Sequence, residues 1–161
     1  MKKTISGIMC GIIAIGMLTG CRTEVFSKFE YESRGAPWDV VYKLTIDFDK
    51  RILITLEADD RTSFSSNPKT KTISLNPEQV SELQKALNRA GVTDWNDEYD
   101  STVVCGTSWN VSYVLPDGKN RKIHGHMNWP RGFEMMSTAI EKLVKANTAV
   151  CGKSLNGTKK Q

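Results

Sequence analysis

Strict alternation of apolar and polar residues in the first half of the chain is the feature that most constrains its fold. Over residues 40–48 every second side chain is apolar, which is the period of a strand with one buried face. Asp49-Lys50 then forms a tight turn, and residues 52–58 repeat the pattern on the way back. The two apolar sets are Val40, Tyr42, Leu44, Ile46 and Phe48, then Ile52, Ile54, Leu56 and Ala58. The alternation therefore predicts an antiparallel hairpin.

A second hairpin is predicted around Pro116-Asp117-Gly118, which suits a type I turn followed by a glycine bulge. Before this turn, every second residue is again apolar, at Trp109, Val111, Tyr113 and Leu115. The turn also fixes which residues face one another. It sets Leu115 opposite Lys119, Val111 opposite Ile123, Trp109 opposite Gly125, Asn110 opposite His124 and Ser108 opposite His126. The bare glycine leaves the indole of Trp109 a surface to cover.

Two helices are predicted from their end signals and apolar stripes. Asn76 as N-cap, Pro77 at the first helical position and Gln79 three residues after the cap begin a helix that ends at Ala90, before Gly91. Its apolar stripe is Val80, Leu83, Leu87 and Ala90. A last helix follows Pro130 and frays from Asn147. Its apolar side is Phe133, Met136, Ile140, Leu143 and Val144.

Together with a strand at Phe29 and Tyr31 and a short strand over residues 72–75, these elements give the order ββββαββα. One-faced strands and striped helices predict an α+β fold, with two helices on one face of an antiparallel sheet of five to six strands. No long linker divides the chain, so residues 24–151 form a single predicted domain, followed by a polar tail over residues 152–161.

The N-terminus has the pattern of a secretory signal. Met1-Lys2-Lys3 is basic, and the uncharged run from Ile5 to Leu18 is shorter than the roughly 20 residues that span a bilayer. Its ending, Leu18-Thr19-Gly20-Cys21, resembles the lipobox of bacterial lipoprotein precursors. The resemblance covers residues 1–21 only. The rest of the layout, with Asn128-Trp129-Pro130 before a helix, is similar to small bacterial envelope domains without an assigned activity, and it implies no catalytic residue.

The lipobox resemblance implies that residues 1–20 are removed and that Cys21 carries the lipid. Residues 21–23 are then the lipidated N-terminus and a short tether, and three acyl chains exceed what stable anchoring needs. Arg22 stands where an aspartate would signal retention in the inner membrane. The expected location is therefore the outer membrane of a Gram-negative bacterium, with the domain facing the periplasm.

With Cys10 removed and Cys21 lipidated, Cys105 and Cys151 remain in a compartment that favours disulfides. A bridge between them would close a loop of about 46 residues and stabilise the fold by about 4 kcal/mol. The alternatives are a two-cysteine metal site or two free thiols.

Charge and motifs exclude several classes of function. Loss of the two signal lysines lowers the formal net charge from +4 to +2, which is too near balance to predict a nucleic-acid partner. The sequence has neither a Gly-x-Ser-x-Gly motif nor a glycine-rich phosphate loop. We therefore expect no cofactor and no enzymatic activity.

The two histidines of the chain, His124 and His126, share one face of a predicted strand at a spacing that suits a metal ion. Met127 adds a sulfur donor of the kind that copper(I) favours. The alternative is that both histidines are polar side chains on the solvent side of the strand. The sequence thus leaves two hypotheses for these histidines: a zinc or copper site, or solvent-exposed polar side chains.

The acidic, aromatic run after the first helix is a candidate partner-binding site. Its candidate residues are Trp95, Asp97, Glu98, Tyr99 and Asp100. An exposed acidic loop with aromatic residues suits a protein partner, especially a basic one. The alternative is that the two aromatic residues anchor the connection to the core while the carboxylates keep it soluble.

Together these features predict a lipid-anchored, periplasm-facing domain that binds another envelope protein, as an inhibitor, an immunity factor or a factor in envelope maintenance. One alternative is metal binding through His124, His126 and Met127. A second alternative is a hydrolase whose site residues are scattered along the sequence.

Overall fold

The computed structural model describes residues 24–35, 40–58 and 67–154, without the side chains of residues 40, 41 and 148–154. Seven strands, two α-helices and a short 3-10 helix (Val92–Asp94) make up the regular structure of this part of the chain. The strands are β1 (Lys28–Gly35), β2 (Val40–Asp47), β3 (Ile52–Ala58), β4 (Lys69–Ser74), β5 (Glu98–Asp100), β6 (Ser108–Val114) and β7 (Asn120–His126). The helices are α1 (Pro77–Arg89) and α2 (Phe133–Ser154).

The strands form one sheet in the order β4-β3-β2-β1-β6-β7-β5. All neighbours are antiparallel except β5, which runs parallel to β7. The predicted α+β class and order of elements are confirmed, but the sheet has seven strands instead of five to six. The additional strand, β5, lies within the acidic run. It has only three residues, too few to reveal an alternating pattern.

Both helices begin as predicted. Asn76 accepts a hydrogen bond from the backbone of Gln79 at 2.8 Å, and the side chain of Gln79 accepts one from the backbone of Asn76 at 2.9 Å. This capping box satisfies two donors that a helix start leaves unpaired. Helix α2 passes Asn147, where fraying is expected, and ends at Ser154, so it continues into the predicted tail.

The first hairpin forms as predicted, but its second strand presents a different face to the core. Antiparallel pairing across the turn sets Ile46 opposite Leu53, so odd-numbered residues of β3 join the even-numbered core residues of β2. Leu53 and Thr55 are buried, whereas Ile52, Ile54 and Leu56 lie half-buried on the other face. The apolar alternation of β3 thus marks the face away from the helices.

Both helices pack on one face of the sheet, and the core lies between the two layers. The register of the second hairpin is as predicted, with Val111 opposite Ile123 and Trp109 opposite Gly125. Trp109 is 1% exposed and lies at the centre of an aromatic cluster with Trp95, Tyr99 and Phe133. The opposite face, which we call the uncovered face, carries His124 and Asn110 among its side chains.

Residues 1–23, with the predicted signal and lipobox, lie outside the described residues. Within the described ranges, neither helix combines the length and the apolar character that a membrane crossing requires.

Candidate partner-binding surface

The aromatic residues of the acidic run belong to the core. Trp95 is 4% exposed, and its indole N–H donates to the backbone carbonyls of Ala90 at 3.0 Å and Arg131 at 3.1 Å. Tyr99 is half-buried against Trp109, with ring centroids 5.9 Å apart. Trp95 therefore offers almost no surface to a partner, which favours the alternative that it anchors the connection to the core; its binding role stays a prediction. Its burial follows from packing partners that are distant in sequence.

Asp97 holds the connection before β5 in place. Its carboxylate lies 2.7 Å from Nε of Arg121, and its backbone carbonyl accepts the N–H of His124 at 2.9 Å. Arg121 also donates to the carbonyl of Thr93 at 2.8 Å. The hydrogen bond from Arg121 to Asp97 raises the pKa of the arginine above its ordinary value. Among the acidic residues, Asp97 thus has a structural partner.

Glu98 and Asp100 remain exposed on β5, at the edge of the sheet. Parallel pairing sets Glu98 beside His124 and Asp100 beside His126 on the uncovered face. The acidic run and the histidine pair, which are about 25 residues apart in sequence, therefore form one polar cluster.

The ring of His126 is engaged at both nitrogens. Nε2 lies 2.8 Å from the carbonyl oxygen of Val103, and Nδ1 lies 2.9 Å from Oγ of Ser108. Because a carbonyl oxygen only accepts, Nε2 carries a proton, and in the neutral ring Nδ1 accepts the hydroxyl proton of Ser108. His126 thus joins β6 and β7 to the loop that follows β5.

Met127 also holds this loop. Its sulfur accepts the backbone N–H of Thr107 at 3.2 Å, and its own N–H donates to the Thr107 carbonyl at 3.0 Å. The side chain of Met127 lies where a Cβ at Gly106 would stand, and Gly106 has a φ of 144°, which favours glycine. In the part of the chain that the structure describes, no group of three or more His, Cys, Asp or Glu side chains could hold a metal ion. These contacts favour a structural role for His126 and Met127.

The held loop, residues 101–107, presents apolar side chains to solvent. Val104 is 92% exposed and Val103 is 50% exposed. Trp129, 43% exposed, follows Asn128, whose amide lies 3.5 Å from the carbonyl of Asp100. Of the five exposed large apolar side chains among the described residues, three therefore lie in two segments that contact each other. We call Glu98, Asp100, Val103, Val104 and Trp129 the β5-edge surface.

Sequence patterns do not identify the apolar part of this surface. Val103 and Val104 stand next to each other between small polar residues, with no period that predicts a strand or a helix. Trp129 is separated from them by 25 residues or more. The only available signal is an apolar pair in a segment otherwise typical of a loop.

Cys105, in the same loop, is exposed, and its thiol has no disulfide partner among the described side chains. The side chain of Cys151 lies outside the described residues, but its backbone belongs to α2, about 27 Å along the helix from Phe133. Four residues before Cys151, α2 contacts the start of α1, since the side chain of Asn147 hydrogen-bonds that of Gln79. Because a disulfide needs Cα atoms within about 7 Å, a bridge would require this fold to rearrange. The predicted pairing stays untested, and this geometry favours the alternative of two free thiols.

A protein-family model described as a domain of unknown function, DUF6438, matches residues 41–144, about two thirds of the chain. The match begins in β2 and ends in α2, so the central strand β1 precedes it. No curated protein matches the chain.

Proposed function

Because the chain belongs to the DUF6438 family, a domain of unknown function, we propose a function from its own surface: it is a lipid-anchored, periplasm-facing domain that binds another envelope protein. The proposed location is the outer membrane, through lipid on Cys21. The observation that carries the binding role is the β5-edge surface: Val103 and Val104 are exposed in the loop that follows β5, Trp129 is exposed in the segment that follows β7, and Glu98 and Asp100 are exposed on β5 itself.

This surface has the composition of a protein interface. Apolar and aromatic side chains at its centre with charged groups at the rim are typical of specific protein contacts, and tryptophan is over-represented among the residues that dominate binding energy. Glu98 and Asp100 favour a basic partner, because complementary charge speeds association. An inhibitor or immunity factor and an envelope-maintenance factor would both use such a surface.

The loop that carries the two valines is also held before any partner arrives. His126 hydrogen-bonds the carbonyl of Val103. Met127 accepts the backbone N–H of Thr107 through its sulfur and donates its own N–H to the Thr107 carbonyl. A loop that is already ordered loses less conformational entropy on binding, which favours affinity.

Site-specific photo-crosslinking in the native envelope tests this proposal. A photo-reactive amino acid at position 104 or 129 should form an adduct with one defined protein. The same amino acid at position 135 is the matched control, because Met135 is an exposed apolar residue on α2, 49% exposed and outside the β5-edge surface. Glu98→Gln together with Asp100→Asn should weaken the adduct, and Trp129→Ala should reduce affinity about tenfold or more. Equal adducts at all three positions, or none, would contradict the proposal.

A hydrolase is the second candidate, and the Ser108–His126 contact favours it. A nucleophile within hydrogen-bond reach of a base, which a third group orients, is the arrangement that activates serine. In such a step Oγ of Ser108 would attack an ester carbonyl while its proton passes to Nδ1 of His126; the proton then goes to the departing alcohol, and water releases the acyl group. The group that orients His126 is a neutral carbonyl, which stabilises an imidazolium less than a carboxylate does. We therefore rank this candidate second.

A fluorophosphonate probe separates the two candidates. Covalent labelling at Ser108 that disappears in Ser108→Ala and persists in Ser112→Ala would support the hydrolase. Ser112 is the matched control because it lies on the same strand and the same face. Absence of labelling in the wild-type protein would overturn this second candidate and leave the binding role unaffected.

A further inference from the structure

Two side-chain amides of α1 fix the first described residues of the chain. Asn88 accepts the N–H of Glu24 at 2.7 Å and donates to its carbonyl at 2.6 Å. Gln84 makes the same pair of bonds to Phe26, at 2.9 and 2.7 Å. Each amide thus makes the two hydrogen bonds that a neighbouring strand would make. Residues four apart lie on one face of a helix, so both amides contact the segment together.

The segment is also fixed by packing. Phe26, 1% exposed, meets the ring of Tyr113 edge-on at a centroid distance of 5.4 Å. The next residue, Ser27, donates its N–H to the carbonyl of Val114 at 2.8 Å, where β1 begins. The chain therefore enters the domain on the helix side of the sheet, along α1.

The tether between this segment and the lipid is short. Glu24 follows Cys21 by three residues, which span at most about 11 Å when fully extended. A helix with its side chains is about 10 Å across, and the sheet lies beyond it. The tether therefore cannot reach around the helix layer to the uncovered face. Val25, between the two fixed residues, is 56% exposed and adds an apolar side chain where the chain comes closest to the lipid.

We propose that the α1 side of the domain rests on the lipid bilayer and that the uncovered face points away from it. This inference rests on the proposed lipidation of Cys21. The exposed side of α1 next to the fixed segment carries Ser81 and Lys85, and Lys85 forms an ion pair with Glu82 at 3.4 Å, so this side is polar and close to charge balance. With α1 toward the membrane, Glu98 and Asp100 face the periplasm, where a partner can reach them.

Headgroup quenching of a fluorophore at two positions tests this orientation. The full lipidated protein, carrying Cys105→Ser and Cys151→Ser, is labelled through Ser81→Cys on α1 or through Asn110→Cys on the uncovered face. It is bound to phosphatidylethanolamine and phosphatidylglycerol vesicles that contain a nitroxide-headgroup lipid. We expect quenching at position 81 to exceed that at position 110 at least twofold. Equal quenching, or stronger quenching at position 110, would overturn the orientation.

A second pair of variants tests the role of the fixed segment. Gln84→Ala with Asn88→Ala should release residues 24 and 25, while Phe26 stays packed in the core, and bring the two quenching values closer together without a change in circular dichroism. Glu82→Ala is the matched control: it lies on the exposed side of α1, and its ion pair is with Lys85. An unchanged twofold difference in the double variant would contradict control by the two amides. Mass spectrometry of the N-terminus distinguishes failure of the anchoring proposal from failure of the orientation proposal. A protein that carries no lipid and fails to bind vesicles would overturn both proposals. A protein that binds vesicles but has no preferred side toward the bilayer would overturn only the orientation.

Discussion

Gly125 lies directly beneath the indole of Trp109. A Cβ at this position would stand 2.5 Å from Cε2 and Cζ2 of the indole, closer than any van der Waals contact allows. The indole has no room to retreat, because Phe133 and Tyr99 pack against it and its N–H donates to the carbonyl of Asn128 at 2.9 Å. This pair therefore sets the spacing between β7 and the helix layer.

Gly125→Ala should lower the free energy of unfolding by about 1–3 kcal/mol, because overpacking forces side chains out of their rotamers. Urea denaturation measures the change. Gly35→Ala is the matched control: among the described residues, a Cβ there meets Oγ1 of Thr107 alone, at 3.9 Å, and should change stability by less than about 0.5 kcal/mol. Equal effects of the two substitutions would contradict the close contact.

The raised pKa of Tyr42 makes the stability of the protein depend on pH in the alkaline range. Burial, followed by the negative charge that Tyr31 and two glutamates bring, raises the pKa of Tyr42 from 10.0 to about 12. The unfolded chain then releases this proton at a lower pH than the folded chain does. The stabilising effect is complete below pH 10 and is lost between about pH 10 and 12.

Tyr42→Phe removes this titration. We expect the free energy of unfolding of the variant to rise relative to that of the wild-type protein as the pH increases from 9 to 11. Between pH 6 and 8 the difference between the two free energies should be constant. Urea midpoints across the pH range measure both trends. A constant difference up to pH 11 would show that ionisation of Tyr42 is not coupled to folding.

At the scale of elements, the ends of the helices are set by interactions between residues close in sequence. Which face of a strand is buried is set by its pairing register with the neighbouring strand. Asn76 and Gln79 define the start of α1 by bonds between residues three apart. In β3, by contrast, the register with β2 decides that Leu53 is buried and Ile54 is not. The turn at Asp49-Lys50 implies this register, so the parity of the two strands is a better guide to the core face than the apolar alternation of β3 alone.

Asn76→Ala should destabilise the protein by about 1 kcal/mol, since the helix start loses its capping box. Thermal and urea denaturation measure the change. Ser81→Ala serves as the control, because Ser81 is exposed within the same helix and the substitution should shift stability by no more than about 0.5 kcal/mol. A loss no larger than that of the control would mean that Pro77 and packing alone define the start of α1.

At the scale of the whole molecule, the two helices run antiparallel, since Gly132 lies against Ala90 and Asn147 hydrogen-bonds Gln79, and this places Cys151 far along α2 from its first turn. Cys105 lies beside β6 and β7, and Cys151 lies far along α2. We expect thiol titration of the folded mature protein under non-reducing conditions to find two free thiols. A reductant should then leave the urea midpoint unchanged. No free thiols, together with a loss of about 4 kcal/mol on reduction, would restore the bridge that the sequence predicts and require a different path for the end of α2.

The candidate site was predictable only in part. The acidic run and the histidine pair are visible in the sequence, but their meeting on one face is not, because β5 pairs with β7 in parallel across more than 20 intervening residues. The burial of Trp95 depends on carbonyls of Ala90 and Arg131 that only the packed helices bring together. The segments that carry Val103, Val104 and Trp129 are held at this edge of the sheet by contacts of His126 and Asn128, and no local pattern encodes these contacts.

The sequence by itself determined the elements, both hairpins and the register of the second, because alternation, caps and turns act between residues a few positions apart. Its resemblance to a lipobox at residues 18–21 also predicts lipid on Cys21. Only the tertiary structure decided the seventh strand, the buried face of β3, the β5-edge surface and the attachment of residues 24–26 to α1. The physical reason is range: these features depend on contacts between segments distant in sequence, and such contacts exist only once the sheet and its helix layer have assembled.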